Sequence, residues 1–354
     1  MASELVEIDG AFGEGGGQIV RSAVALSCLT GRPIRVYNVR ARRKNPGLGN
    51  QHVTAIRAAR QICGARLEGV KVGSSTFEFW PGQVQPGNYS FDIGTAGSTT
   101  LVFQTIVWPL LSVEGDSVVT LVGGTHNPLA PCFDYLELVW APFVRACGAN
   151  VELSILRYGF YPVGGGRIRA RIHGLGGLHR LRPLVVEARD EKGVIRLWSR
   201  VARLPESIAA RQRNRAVKQL ERAGYEVSEA EEGVVEAMCP GTYVFLHYED
   251  SFTRAGFQAL GERGKRAERV ADEAVAAFLA YVESDAALDP HMADQIVFPL
   301  AFARGSSSYT TSEVTQHLLT HVHLLRLFLD RAIEVDGELG RPGRVTIAPA
   351  EADG

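Results

Sequence analysis

The chain is poor in cysteine, almost without net charge and free of long apolar runs, and each shortage removes a class of protein. Five cysteines occur, Cys28, Cys63, Cys132, Cys147 and Cys239. Their odd number, wide spacing and apolar helical surroundings, with neither a Cys-x-x-Cys pair nor Cys/His metal spacing, exclude a disulfide scaffold and a structural zinc site. They read as reduced core residues of a cytoplasmic protein. Thirty-eight basic residues against thirty-nine acidic leave a formal net charge of −1, which argues against bulk electrostatic capture of nucleic acid and sends the search for phosphate sites to local clusters. No stretch approaches the length of a membrane span. Met1-Ala2-Ser3-Glu4 lacks the basic and then apolar segments of a secretory leader, so no membrane partner is expected.

What is present is a chain of 354 residues, 45% hydrophobic, long enough for one large core or two smaller ones. Leu5 to Asp9 alternate as a strand, and Gly10 to Gly17 then turn the chain into a helix from Gln18 to Leu29. A strand, a glycine-rich turn and a helix start let backbone approach a phosphate closely. The turn is neither a Walker loop nor a dinucleotide fingerprint. Glu14 stands out in it: a carboxylate does not hold phosphate directly, but it suits a divalent cation that bridges to phosphate.

A second strand, Ile34 to Val39, runs into the densest basic segment, Arg40-Ala41-Arg42-Arg43-Lys44, followed by a Pro-Gly turn and a helix from about Gln51 to Cys63. Arginine forks bind phosphate oxygens in bidentate fashion, so this loop, with Arg21 in the first helix, is a candidate RNA-phosphate site.

The chain repeats itself. Cys63-Gly64-Ala65 recurs as Cys147-Gly148-Ala149, Asn45-Pro46 as Asn127-Pro128, and the aspartate and glycine before one turn as Asp92 and Gly94 before the next, at offsets of 82 to 84 residues. Two copies of a strand-helix-strand-helix-strand-strand unit account for this. The first closes with strands Leu67 to Val72 and Thr76 to Trp80, the second with Val151 to Leu156 and Arg167 to Ile172. After a strand at Leu181 to Glu187 the composition changes. Strands at Val194 to Val201, Tyr225 to Glu231 and Thr242 to Tyr248, with helices Pro205 to Ala223 and Arg266 to Val282, form a smaller α/β unit. The pattern then resumes with a helix from His291 to Phe302, a strand at Ser308 to Thr310, a helix to Arg331 and strands at Ile333 to Val335 and Val345 to Ala348. The expected fold is α/β (α+β): three βαβαββ repeats, residues 1–84, 85–174 and 175–184 with 287–348, in a body of residues 1–184 and 287–354 interrupted by an inserted α/β domain at 185–286. The tail Pro349 to Gly354 is expected to be disordered.

The most chemically suggestive stretch runs from Thr310 to His323. It reads as a hydroxyl-rich loop leading into a helix with Ser312 as N-cap. His317 falls in the first turns, where free N–H groups and the helix dipole favour an anion, and a neutral imidazole there is placed to attack a nucleoside triphosphate. His321 and His323 read as ordinary helix-face residues.

Gly13-Glu14-Gly15-Gly16-Gly17-Gln18, the Arg40 to His52 segment, Arg157 to Gly166, Gly261-Glu262-Arg263-Gly264-Lys265, Ala293-Asp294-Gln295 and Gln316-His317-Leu318-Leu319-Thr320 together resemble the RNA 3′-terminal phosphate cyclases, in family order over nearly the whole chain. Two departures are visible: Tyr158 where the family signature usually has Arg or His, and His321 where an Asn often follows the Thr. The resemblance implies repeats similar to the C-terminal domain of a bacterial translation initiation factor and to half-units of enolpyruvyl transferases. It implies use of ATP and Mg²⁺ or Mn²⁺ to turn the 3′-phosphate end of an RNA into a 2′,3′-cyclic phosphate. On that likeness His317 is the nucleophile that becomes adenylyl-histidine and Glu14 helps hold the metal. Gln104, Pro131, Phe257, His291, Met292, Ala293, Asp294 and Gln295 form the ATP site, Pro131 and Phe257 flanking the adenine, while Arg21, Arg40, Arg43, Gln51 and His52 meet the phosphates of RNA or ATP. The rival readings are a non-catalytic RNA-binding ribosome-assembly relative, expected to lack the histidine, and an enolpyruvyl transferase, which is longer and has six repeats. The oligomeric state is open between monomer and homodimer.

Overall fold

The structure is a computed structural model that describes residues 4–190 and 193–350. The readings made on Met1 to Ser3 and on residues 351–354 of the tail lie outside the described residues. Within the tail, the Ala350 N–H donates to the Arg304 carbonyl.

The described residues form an α/β fold with four four-stranded sheets. The first comprises β1 (Val6–Asp9), α1 (Gly17–Thr30), β2 (Ile34–Tyr37), α2 (Asn50–Cys63), β3 (Arg66–Glu68) and β4 (Phe77–Trp80), with strand order β1-β2-β4-β3. The strands alternate as a half-buried sheet should, Ile34 and Val36 fully buried and Arg35 between them exposed. Both helices end on left-handed glycines, Gly31 and Gly64, whose N–H groups satisfy carbonyls of the last turn.

The second sheet follows from β5 (Asn88–Asp92), α3 (Thr99–Leu111), β6 (Glu114–Gly123), a helix made of α4 (Phe133–Tyr135), a π-helical turn Leu136–Trp140 and α5 (Ala141–Ala146), then β7 (Asn150–Arg157) and β8 (Gly166–Leu175). Its order is β5-β6-β8-β7. β9 (Val185–Val186) comes next, and then a separate group: β10 (Val194–Ala202), α6 (Ser207–Arg222), β11 (Glu229–Val234), β12 (Gly241–Glu249), β13 (Arg254–Leu260) and α7 (Ala267–Val282), ordered β11-β10-β12-β13. Finally α8 (Pro290–Leu300), β14 (Ser307–Thr311), α9 (Gln316–Phe328), β15 (Ile333–Asp336) and β16 (Gly343–Ile347) complete a sheet of order β15-β16-β14-β9.

Three of the sheets therefore share one pattern. The first two strands run parallel and the fourth lies antiparallel between the second and the third. β9 joins the C-terminal sheet by pairing with Ser308 and Tyr309, although the sequence reading put Val185 and Val186 in the insert. Other expectations shift as well. The strand expected at Leu67 to Val72 stops at Glu68, the one expected from Tyr225 begins at Glu229, the last helix ends at Phe328 rather than Arg331, and β13 had no counterpart.

One core runs beneath the three like sheets, where α1 packs on α2, α3 and α9, and α9 on α8. Trp140 is fully buried in this core, with its ring 5.6 Å from Phe103 and 5.5 Å from Trp108. Truncating it to alanine should cost about 3–5 kcal/mol. A second core, with Leu197, Leu246, Val270 and Phe278, fills the space between the β10 to β13 sheet and helices α6 and α7.

Candidate active site

The facing ends of α1 and α9 build the site. Gly13 holds φ +58°, and a Cβ there would lie 2.5 Å from Thr320 Oγ1 on α9. A Cβ on Gly17 would lie 2.1 Å from His52 Nε2. Glycine at these two positions is what lets the first loop settle between α2 and α9. Thr315, not Ser312, caps α9: its Oγ1 accepts from the Leu318 N–H at 3.0 Å. Ser312 lies three residues too early to reach the N–H groups of the first turn, because Gln316 is the first helical residue.

His317, second in the helix, meets Gln18 twice. The Gln18 amide Nε2 donates to the His317 carbonyl at 2.8 Å, so Gln18 Oε1 faces the ring, 2.6 Å from Nδ1. A carbonyl accepts only, which fixes the amide orientation, and an amide oxygen accepts only, which puts the imidazole proton on Nδ1. The lone pair is therefore on Nε2, which stands 3.5 Å from Glu14 Oε2. Burial lowers the His317 pKa below the ordinary histidine value, Glu14 opposes this and Arg21 adds to it. At neutral pH the ring is therefore uncharged.

Beside it lies a cavity of about 570 Å³. Gln104, Pro131, Phe257, His291, Asp294, Gln295, Arg21 and His317 all line it, so most of the expected nucleotide site comes together. Met292 and Ala293 do not. They are fully buried on the opposite face of α8, where Ala293 accepts from the Tyr309 hydroxyl, because the helical period points His291, Asp294 and Gln295 the other way. Gln104 Nε2 donates to Gln295 Oε1, joining α3 to α8. Phe257 and Tyr281, from β13 and α7, also line the cavity, so the group between β9 and α8 contributes directly to it.

Arg21 is a half-buried cation at the cavity wall. Burial lowers its pKa to about 10 with Asp294 opposing, and it remains charged at neutral pH. Among the described residues it makes no ion pair within 4 Å, which leaves its charge for an anion in the cavity. Burial raises Asp294 well above the usual carboxylate range, with Arg21 opposing.

Glu14, Arg40, Arg43, Gln51 and His52 lie outside the cavity lining, on the flank of His317. Arg43 NH2 donates to Glu14 Oε2 at 2.7 Å, and Arg40 donates to the Gly47 carbonyl. The His52 Nδ1 accepts the Gly49 N–H at 2.9 Å, and burial together with Arg21 and Arg40 lowers its pKa to about 3, so it is a neutral donor through Nε2. Gln51 Oε1 accepts from the Ser98 N–H at 2.8 Å. As a cation site, Glu14 offers one hard carboxylate beside His317 Nε2. That fits an ion such as Mg²⁺, which takes its other ligands from water and substrate phosphates.

Sequence reasoning gave no role to Gln18, although it ends the Gly13 to Gln18 motif, nor to Asp289 and Tyr135. Asp289 caps α8, accepting from the N–H groups of His291 and Met292, and Tyr135 OH donates to it at 2.8 Å. The Asp-Pro at 289 and 290 was the available signal. His126, Cys132 and Asp134 also converge, their ligand atoms within 4.8 Å of one another. Both ring nitrogens of His126 are already engaged, by Thr125 and Asp134, and Tyr243 packs 4.2 Å from the ring. The cluster is structural. It carries Tyr158, whose ring stacks on His126 at 5.2 Å. His321 is buried, with Nδ1 on the Asp294 carbonyl and Nε2 on Ser22 Oγ.

An oriented, neutral histidine at a helix start and a half-buried arginine beside an open cavity give this α/β protein a pocket with the chemistry to receive an anionic ligand. The family model for RNA 3′-terminal phosphate cyclase matches residues 12–335. The RNA 3′-terminal phosphate cyclase of Methylococcus capsulatus is 44% identical over 92% of this chain and 91% of its own, and that of Archaeoglobus fulgidus 43% identical over 94% and 98%. The chain belongs to the RNA 3′-terminal phosphate cyclase family and is an enzyme of that family. Among solved structures, the enolpyruvyl transferase NikO from Streptomyces tendae aligns over 98% of this chain and 48% of its own, with 11% identity and a TM-score of 0.40, too slight a likeness to bear on the argument. Among the described residues no helix is long and apolar enough to cross a membrane.

Proposed function

We propose that this enzyme converts the 3′-phosphate of an RNA into a 2′,3′-cyclic phosphate in three steps through His317. A 3′-phosphate dianion has no leaving group, so the neighbouring 2′-hydroxyl cannot close a ring until the phosphate is activated. In the first step His317 Nε2 attacks the α-phosphorus of ATP, the P–N bond forms and diphosphate leaves. In the second an oxygen of the RNA 3′-phosphate attacks the same phosphorus, the P–N bond breaks, and the Nε2 lone pair is restored with AMP now on the RNA. In the third the 2′-oxygen attacks the 3′-phosphorus, AMP leaves and the hydroxyl proton goes to solvent, an intramolecular closure that needs chiefly orientation.

The observation that carries this reading is the double contact between Gln18 and His317. It holds the proton on Nδ1, leaves Nε2 free, and provides an acceptor for Nδ1–H as the ring gains positive character. Arg21 supplies charge for the phosphates inside the cavity, with Arg40, Arg43, Gln51 and His52 on the flank where the RNA end would come. The adenine is read between Pro131 and Phe257. A divalent cation at Glu14 would draw charge from the triphosphate.

The three sheets of common order are read as three copies of one unit, the third interrupted by the β10 to β13 sheet with α6 and α7. The five thiols are free and buried, which suits a reducing compartment and so the cytoplasm.

The test uses α-labelled ATP with Mg²⁺ or Mn²⁺. After denaturation, acid-labile and alkali-stable label is expected on the protein and none on His317→Ala. Label on neither would overturn the covalent route and favour a non-catalytic RNA-binding protein.

A further inference from the structure

Away from the cavity, β8 displays Arg167, Arg169 and Arg171 on the exposed face of the second sheet, while Ile168, Ala170 and Ile172 between them are buried. Among the described residues none of the three arginines makes an ion pair or a side-chain hydrogen bond. Neighbouring guanidinium groups on one strand face repel one another unless an anion offsets their charge. Three in a row without one leave their charge for something else.

The rest of that face explains why. In register with the three arginines stand Val118, Thr120 and Val122 on β6, and Glu152, Ser154 and Arg157 on β7. Glu152 lies 3.7 Å from the His173 ring, and Asp92 at the far edge is turned to the Gly94 N–H. Asp116 on β6, in register with His173, also turns to that ring, 3.0 Å away, so the acids sit at the two ends of the sheet and the face between those ends is basic or neutral. Alternate residues of a strand repeat every 7 Å or so. The guanidinium groups therefore form a ladder whose steps are comparable to those between successive phosphates of an extended strand.

The ladder leads to the site. Its Arg167 end meets the turn at Gly164, which packs against Ala96 and Thr95, and the same loop reaches α2, where the Ser98 N–H is held by Gln51. We propose that this sheet face binds the backbone of single-stranded RNA on the 5′ side of the reacting end, Arg171 to Arg167 carrying successive phosphates towards Gln51 and His317. The inference rests on the reading of RNA as the substrate. It adds a binding site that the chemistry itself does not require.

The test compares two RNAs ending in a 3′-phosphate, a trinucleotide and an unpaired strand of about twenty nucleotides, with the protein carrying R167A, R169A and R171A together. Affinity is followed by fluorescence anisotropy, KM by cyclisation, and His317 labelling by α-labelled ATP in parallel. For the long strand, binding and KM should worsen about 10-fold or more, and the slope of log K against log salt should flatten by about 2. The trinucleotide and the histidine label should be unchanged, and R167K, R169K and R171K together should keep most of the long-strand affinity. Unchanged long-strand binding would overturn the proposal, as would equal loss for both RNAs, since the arginines would then act through the fold. Parent protein that takes no label yet loses long-strand binding with the three alanines would refute the histidine route and leave this surface standing.

Discussion

Glu14 Oε2 lies 3.5 Å from His317 Nε2 and, at the same time, 2.7 Å from Arg43 NH2. One carboxylate thus bridges the His317 imidazole on α9 and the basic loop before α2, and the behaviour of each depends on it.

Replacing Gln18 by alanine removes both contacts to His317. Losing a hydrogen bond that leaves a half-buried group unpaired costs about 1–3 kcal/mol, so the rate of adenylylation should fall about 5- to 150-fold. ATP binding should change less. Single-turnover labelling with α-labelled ATP measures the first quantity, and its KM the second.

The acid limb of kcat/KM should fall below the ordinary histidine pKa of about 6.5, because burial lowers that of His317 and only the neutral ring attacks. Glu14 raises that pKa against the burial, so Glu14→Gln should move the limb to still lower pH. A pH profile of labelling for the two proteins tests the sign. A limb that moved up would mean that a group other than His317 titrates.

Arg43→Ala should free the Glu14 carboxylate and remove one phosphate contact. The expected outcome is a weaker dependence of RNA binding on salt, by about 0.7 in the log–log slope for a single strand. KM for the RNA should rise, and affinity for the divalent cation should not fall. Titration of binding against potassium chloride measures the slope.

His321 is hydrogen-bonded through both nitrogens as a neutral ring, and burial pushes its pKa down to about 3. Between that value and about 6.5 the unfolded chain binds a proton that the folded chain refuses. Stability from this group is therefore whole above pH 6.5 and drains away as pH falls towards 3. His321→Asn, which has no titrating ring, should flatten the loss of denaturant stability between pH 6.5 and 4. Equal slopes in the two proteins would contradict the assignment.

Much of this protein was legible in its residues. The alternation in β2 and β8, the glycines that end α1 and α2, the offset between the matched segments and the position of His317 in a first helical turn are local properties, fixed by steric limits and by periods of two and 3.6 residues. The family motifs marked Glu14 and His317 in the same way. Other features depend on residues that meet only on folding. No spacing relates Gln18 to His317, 299 positions apart, yet their contact sets the tautomer. The sequence reading placed the cap of α9 at Ser312, and only the observed start of the helix at Gln316 gives that role to Thr315. Met292 and Ala293 sit in the expected motif, but the orientation of α8 sends them to the core. The sequence by itself determined most of the strands and helices and which side-chain types are available for phosphate chemistry. The tertiary structure alone decided which of them share a cavity, which proton His317 carries and which charges stand unpaired, because burial, hydrogen bonding and charge act between groups that are near in space rather than in sequence.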